Sequence, residues 1–269
     1  MSELVETAYA KLNLALHVRE KRADGYHRIE TLFVFCEDGD HVTAEPADGV
    51  SLEIFGPFAA ELQGRSNIVS DATAALSDAS GTNAGAKLHL TKNLPIGSGL
   101  GGGSADAAAA LRLLNKLWGL NWPNEKLEPL ARRLGADVAP CLYSLPMWGD
   151  GRGDELTPVE AGLSGRPVLL INPRTALSTA DVFAKWDGID RGALEKWSAG
   201  RNDLEQPASE LAPLIPTVLA WLGAQPGVEC ARMSGSGATC FALFDSERAR
   251  NDAAEAVPRE WWRFATRLR

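Results

Sequence analysis

Five of the seven residues from Gly97 to Gly103 are glycine, and Ser104-Ala-Asp-Ala-Ala-Ala-Ala-Leu-Arg-Leu-Leu114 follows directly. Glycines admit positive φ and let backbone N–H groups come close to a ligand, while the alanine- and leucine-rich stretch favours a helix whose positive end would face that loop. Such a junction suits a phosphate. A flexible linker is the alternative, but linkers seldom stand between a patterned strand and a strong helix former. Gly97, Gly99 and Gly102 also satisfy G-x-G-x-x-G. A dinucleotide fold, however, needs a further strand with an acid about 20 residues on, where a second helical pattern stands here, with Glu125 and Glu128 inside it. No Gly-Lys-Ser/Thr closes the loop, H-R-D and D-F-G are missing, and neither Ser104 nor Ser236 lies in G-x-S-x-G, which argues against P-loop, protein-kinase and ester-hydrolase chemistry.

The elements that must position this loop can be read from periodicity. From Lys11 to Arg19, Leu12, Leu14, Leu16 and Val18 alternate with Lys11, Asn13, His17 and Arg19, the pattern of a half-buried strand. Arg22-Ala-Asp-Gly25 predicts a turn and Ile29, Thr31, Phe33 and Phe35 a second strand, so the first forty residues should form an antiparallel hairpin with Tyr26 and His27 at the start of its second arm. A strand over 50–54, a helix over 66–76 and a strand over 87–92 precede the glycine loop. A helix from Ser104, another capped by Asn124 and ending at Gly135, and a hairpin over 147–156 follow it. We place a domain boundary near 161–166, separating 1–162 from 163–269. The second half shows strands at 168–171, 230–233, 239–244 and 262–267 and helices near 180–186, near 217–222 and from Ser246, an α+β pattern. The chain has no internal repeat.

Composition narrows the function. At 269 residues, 45% hydrophobic and 23% charged, the chain is of ordinary globular type. Its 27 basic and 35 acidic residues give a net charge of -8, which repels nucleic acid at long range but permits one nucleotide in a local pocket. Cys36, Cys141, Cys230 and Cys240 form no C-x-x-C pair, and His17, His27, His41 and His89 are too dispersed for a protein-built zinc site. Reduced thiols, an acidic start and interrupted apolar runs predict a cytoplasmic protein without a membrane span.

Five ordered motifs then carry a resemblance: Ala10-Lys-Leu-Asn-Leu14, Asp24-Gly-Tyr-His27, Leu94-Pro-Ile-Gly-Ser-Gly-Leu-Gly-Gly-Gly-Ser-Ala-Asp106, Leu134-Gly-Ala-Asp-Val138 and Met233-Ser-Gly-Ser-Gly-Ala238. Together they resemble the galactokinase, homoserine kinase, mevalonate kinase and phosphomevalonate kinase (GHMP kinase) superfamily. They look specifically like its branch acting on a cytidine-diphosphate-linked methylerythritol. The resemblance implies two α+β domains, the first like ribosomal protein S5 and the second ferredoxin-like, with the active site in a cleft between them, and transfer of phosphoryl from ATP with Mg²⁺ to an alcohol of that substrate.

It also implies roles. Asp137 would accept the substrate hydroxyl proton and Lys11 would offset transition-state charge; from spacing alone, Asp137 as a helix N-cap and Lys11 as a solvated strand residue are the more ordinary readings. Tyr26 and His27 would form the cytosine pocket with Phe183 as a second wall, and Asn13 would orient the erythritol. Packing is the ordinary alternative for these aromatics. ATP would lie along Pro95, Gly97, Gly99, Leu100, Gly101, Gly102, Gly103 and Ser104, with Asn67 and Lys92 near the adenosine. Ser104 is the expected protein contact of Mg²⁺. Ser236 and Gly237 would approach the substrate diphosphate, or simply form a glycine turn. Two alternatives remain: another alcohol kinase of the superfamily, acting on mevalonate or homoserine, and a nucleotide-binding regulator without catalysis.

Overall fold

In the computed structural model, which describes residues 3–269, β1 (Leu4–Lys21) and β2 (His27–Ala47) are the arms of the expected hairpin. Gly25, at φ +85°, closes the turn: its N–H donates to the Arg22 carbonyl at 3.1 Å, and the Arg22 N–H donates to the Tyr26 carbonyl at 2.8 Å. Packing divides the chain into two units, and both arms pass from one to the other. The first unit holds residues up to Ala10, Asp38–Ile96 and Gly101–Ser144; the second holds Lys11–Glu37, Gly97–Leu100 and Leu145–Arg269. The packing therefore does not follow the expected division at 162/163. A composition shift cannot reveal two long strands that each serve both units.

In the first unit the end of β2 pairs antiparallel with β4 (Gly85–Thr91), from His41 opposite Thr91 to Ala47 opposite Gly85, and β4 pairs in parallel with β3 (Val50–Phe55). Ala86, Leu88 and Leu90 of β4 point inward, as period two requires. Four helices complete this unit: α1 (Ile68–Ser80), α2 (Gly102–Leu117), α3 (Asn124–Leu134) and α4 (Val138–Tyr143). Ala105 and Ala107–Ala110 are buried along α2, where small side chains allow neighbouring helices to pack closely. Two boundaries differ from expectation. α2 starts at Gly102 rather than Ser104, because Gly101 turns the chain at φ +62° and its carbonyl accepts the Ala105 N–H at 2.8 Å. Asn124 is the first helical residue of α3 and Pro123 takes the cap position.

In the second unit the start of β2 pairs with β5 (Met147–Asp150), which pairs with β6 (Glu155–Pro158) as the expected hairpin. The chain continues through β7 (Pro167–Asn172), α5 (Thr179–Ala184), α6 (Glu205–Leu211), α7 (Leu214–Gly223), β8 (Val228–Met233), β9 (Cys240–Phe244), α8 (Glu247–Ala256) and β10 (Trp262–Arg267). The four later strands form an antiparallel sheet ordered β10-β7-β9-β8. With helices in the first and last connections this is the ferredoxin-like β-α-β-β-α-β arrangement expected. Leu169, Ile171, Ile215, Val218, Leu222 and Phe244 lie in its core. α6 has no counterpart in the sequence reading, since Glu205-Gln-Pro-Ala-Ser-Glu-Leu211 is too short and polar to show an apolar period.

β1 departs from the half-buried expectation. Lys11, Asn13 and His17 are as buried as Leu12, Leu14 and Val18, so both faces are covered from Lys11 to Val18. No helix among the described residues is long and apolar enough to cross a membrane, and all four cysteines are free thiols.

Candidate active site

The first unit presents the N-terminus of α2. Gly102, Gly103 and Ser104 form its first turn, where backbone N–H groups have no carbonyl one turn back to receive them. Asn67 caps α1, Ser178 caps α5 and Ser246 caps α8 with side-chain acceptors, whereas no side chain caps α2. Its end thus offers convergent donors and a positive dipole to an anion.

Lys92, expected near the adenosine, is 1% exposed and sits between two carboxylates. Its Nζ donates to Asp40 and, at 2.7 Å, to Asp106 Oδ2. Burial works against the ammonium's charge, but Asp106 and Asp40 outweigh it and hold the Lys92 pKa above the ordinary lysine value. Burial pushes the Asp106 carboxyl up to about 7, against the pull of Lys92 and with the help of the nearby Asp40 charge. Lys92 is therefore a buried ion-triad member rather than a surface group. Asn67 spends its Oδ1 on α1, accepting the Val69 N–H at 2.9 Å, and lines a recess of about 520 Å³ with Leu52, Ile54, Leu62 and Ser70. Pro95 is half-buried.

Asp137, also in the first unit, precedes α4 in the cap position but makes no capping hydrogen bond with its side chain. The ordinary reading of this residue as an N-cap is not what the fold uses. It is half-buried, one residue after Ala136 and before the fully buried Val138.

In the second unit the polar face of β1 is a hydrogen-bonded interior. Lys11, 2% exposed, donates through Nζ to Asn13 Oδ1 at 3.1 Å and lies 4.6 Å over the Phe33 ring. Asn13 Nδ2 donates to Thr31 Oγ1 at 2.8 Å, and that hydroxyl donates to the Ala15 carbonyl at 2.7 Å. The solvated-lysine reading fails on this burial. Residues Gly97–Leu100 are tied to the same face: the Lys11 N–H donates to the Leu100 carbonyl at 2.9 Å, and Ser234 Oγ donates to the Gly99 carbonyl at 3.0 Å while accepting the Asn13 N–H at 3.2 Å. Gly99 (φ +78°) cannot carry a side chain there, since a Cβ would lie 2.3 Å from the Ser234 carbonyl oxygen.

Sequence reasoning named Ser236 and Gly237 from this turn and missed Ser234. Ser236, 8% exposed, exchanges a hydrogen bond with Thr179 Oγ1 at 2.8 Å, and Gly237 is buried beside Met233. Asn202, also missed, holds the turn by donating to the Met233 and Gly235 carbonyls, both at 2.8 Å. The motif Ser-Gly-Ser-Gly gives no sign of which hydroxyl faces β1, and a lone Asn in a polar loop gives none of its partners.

Of the aromatic residues singled out in the sequence, His27 and Phe183 come together. His27 opens β2 and stacks on Phe183 of α5 with ring centroids 5.0 Å apart at 28°, while Trp186 meets it edge-on at 5.5 Å. Trp186 was not anticipated, and its buried indole N–H has no hydrogen-bond partner. Tyr26 is 57% exposed with the Arg152 guanidinium 5.0 Å from its ring. Burial first, and the Lys21 charge second, hold the His27 pKa below the ordinary histidine value, so at neutral pH its ring is an uncharged donor and acceptor. Arg28 grips Asp150 through two 2.9 Å bonds and fixes this end of β2 to β5.

Among the described residues no three His, Cys, Asp or Glu side chains gather to hold a metal. The Ser104 hydroxyl is the one side-chain oxygen in the first turn of α2, and the orphan amides beside it suit phosphate rather than a cation.

A GHMP kinases N terminal domain model matches residues 67–144 and a GHMP kinases C terminal model matches residues 184–263. The chain is 51% identical over 277 residues to a 4-diphosphocytidyl-2-C-methyl-D-erythritol kinase of Rhizorhabdus wittichii, covering 98% of this chain and 94% of that protein. It is 49% identical to the protein of the same name from Novosphingobium aromaticivorans, covering 99% and 93%. A crystal structure of 4-(cytidine 5'-diphospho)-2C-methyl-D-erythritol kinase superposes with a TM-score of 0.85 at 33% identity, covering 98% of this chain and 99% of that one.

Proposed function

The chain belongs to the GHMP kinases, in the 4-diphosphocytidyl-2-C-methyl-D-erythritol kinase family, and on that premise we propose how its own residues carry the reaction. It phosphorylates the 2-hydroxyl of 4-diphosphocytidyl-2-C-methyl-D-erythritol with ATP, a step in forming isoprenoid precursors by the non-mevalonate route. The observation that carries this assignment is the end-to-end likeness to kinases of that name, at an identity well above what a shared fold alone produces.

The Gly102–Ser104 amides and the α2 dipole bind the ATP phosphates, with Gly97–Leu100 shaping the rest of the loop. The recess beside Asn67, with Leu52, Ile54 and Leu62 as apolar walls, takes the adenine. Magnesium would share the charge of the ATP phosphates when bound, and the Ser104 hydroxyl would be its protein contact. His27 hydrogen-bonds the cytosine edge, and Phe183, Tyr26 and Trp186 supply ring surface for its faces. Asn13, fixed at both ends of its amide, orients the erythritol; the Ser234–Gly237 turn lies along the diphosphate, so that Ser236 and Gly237 contribute mainly through backbone.

Phosphoryl transfer needs an aligned hydroxyl, a destination for its proton and positive charge on the moving group. Asp137, at the start of α4, receives the proton. Lys11, held by Asn13 over Phe33, offsets the charge that develops in the transition state. Asp137→Asn tests the assignment: turnover should fall by about 10²-fold or more while ATP binding and melting temperature are kept, because the amide matches the size but cannot take the proton. Unchanged turnover in the folded variant would remove Asp137 from the mechanism.

A further inference from the structure

The buried ion triad of the first unit has no part in the chemistry described above, and its placement asks for a reason. Asp40 stands on β2, Lys92 directly follows β4 and Asp106 lies in the second turn of α2, so the three segments that frame the start of the phosphate helix meet at one ammonium. Asp40 does more: Oδ1 accepts the Asn93 N–H at 2.5 Å and the Leu94 N–H at 2.9 Å, while Asn93 Nδ2 donates to the Gly39 carbonyl at 3.1 Å. The chain leaving β4 toward the glycines is thereby fastened at its first three residues.

The triad also lies directly beneath the helix start. A Cβ on Gly102 would stand 3.2 Å from Lys92 Nζ and 3.6 Å from Asp40 Oδ2. Glycine at this position lets the first turn of α2 settle onto the ions. Burying one cation with two carboxylates is a poor way to gain stability, since desolvation cancels much of the attraction and apolar side chains of the same volume serve as well or better. Here the cost is larger still, because Asp106 Oδ1 is buried with no hydrogen-bond partner. What such an arrangement supplies is direction: fixed donor and acceptor geometry at α2, the longest of the described helices, whose N-terminus no side chain caps.

We propose that Lys92, Asp40 and Asp106 are positioning residues for ATP, holding the Gly102–Ser104 amides at the place the phosphates require. The proposal rests on the kinase reading and on the phosphate role of α2 within it. Asp106→Ala cuts the tie between α2 and Lys92 while leaving the Lys92–Asp40 pair balanced in charge. Its KM for ATP should rise by about tenfold, the KM for the cytidine substrate should stay within about twofold, and the dissociation constant of a fluorescent ADP analogue should rise in parallel. Asp106→Asn, whose amide oxygen still accepts from Lys92, should restore nucleotide affinity. Should Asp106→Ala not fold, Lys92→Met combined with Asp106→Asn removes the tie with only Asp40, itself bonded to two amides, left charged. That variant should fold and bind nucleotide about tenfold more weakly.

An unchanged nucleotide affinity in Asp106→Ala or in the double variant would overturn the proposal, as would equal loss in Asp106→Ala and Asp106→Asn. Failure of the kinase reading is separate: it would appear as no ADP release by the unaltered protein, while the ADP-analogue titration reads the triad without turnover.

Discussion

Lys11, Asn13 and His27 show what a side chain's identity discloses and what it withholds. Alternation placed Lys11 and Asn13 on one face of a strand, and polar residues on a strand face ordinarily mean solvent. The face is interior because Thr31, Ser234 and residues far along the chain supply its hydrogen bonds, and such partners leave no local trace in the sequence. His27 was legible because a turn at Asp24–Gly25 puts it at a strand start; that Trp186 would meet it edge-on was not. On the role proposed for His27, replacing it by Ala removes a directed contact to the base worth about 1–3 kcal/mol, or roughly 5- to 150-fold in affinity. The KM for the cytidine substrate should rise accordingly and that for ATP should hold. A residue serving only to pack Phe183 would lower the melting temperature and leave both KM values alone, so the three measurements together decide.

At the scale of elements, the strand, glycine segment and helix around residue 100 were readable because each obeys a local rule of period, propensity or turn chemistry. The start of α2 was misplaced by two residues because glycine is disfavoured inside helices, and only the orphan amides of a first turn tolerate it so readily. Gly102 is helical and needs no positive φ; its requirement is space on the side where a Cβ would stand 3.2 Å from Lys92 Nζ. Gly102→Val should therefore raise the KM for ATP by about tenfold or more, with the branched side chain pressing on Lys92 and Asp40 and displacing the first-turn amides from the phosphates. Normal ATP binding by a folded Gly102→Val protein would mean that this turn is no phosphate site. The four-stranded sheet was foreseeable in class from its strand and helix order, whereas α6, with a proline and two glutamates in seven residues, carries no pattern that could announce it.

Across the whole molecule, the two long strands β1 and β2 each contribute to both packing units, which is why no single boundary in the sequence separates them. The stability of the second unit should carry a pH signature through His17. Its Nδ1 donates to the Gly192 carbonyl at 2.9 Å, so Nε2 is the unprotonated acceptor of the Arg201 N–H at 3.3 Å. Burial holds the pKa below the histidine value; the Gly192 carbonyl pulls it up, and the Arg201 charge pushes it down again. A folded pKa lower than the unfolded one, about 6.5, means that the unfolded chain takes up the proton first as pH drops. The His17 contribution is therefore complete above about pH 6.5 and is lost as pH falls through the folded value. Melting curves between pH 7.5 and pH 5 should show the midpoint falling, and His17→Gln should flatten that fall; an identical slope in the variant would show that other groups set it.

The central claim is the identity of the phosphoryl acceptor. ADP release should be followed with ATP, Mg²⁺ and each of 4-diphosphocytidyl-2-C-methyl-D-erythritol, mevalonate, homoserine and galactose at equal concentration. The cytidine compound alone should support turnover, because only it carries the base proposed to bind at His27, Phe183 and Trp186. Release with a non-cytidine alcohol alone would reassign the substrate, and release with none of them by a folded protein that still binds ATP would describe a nucleotide-binding regulator instead of a kinase.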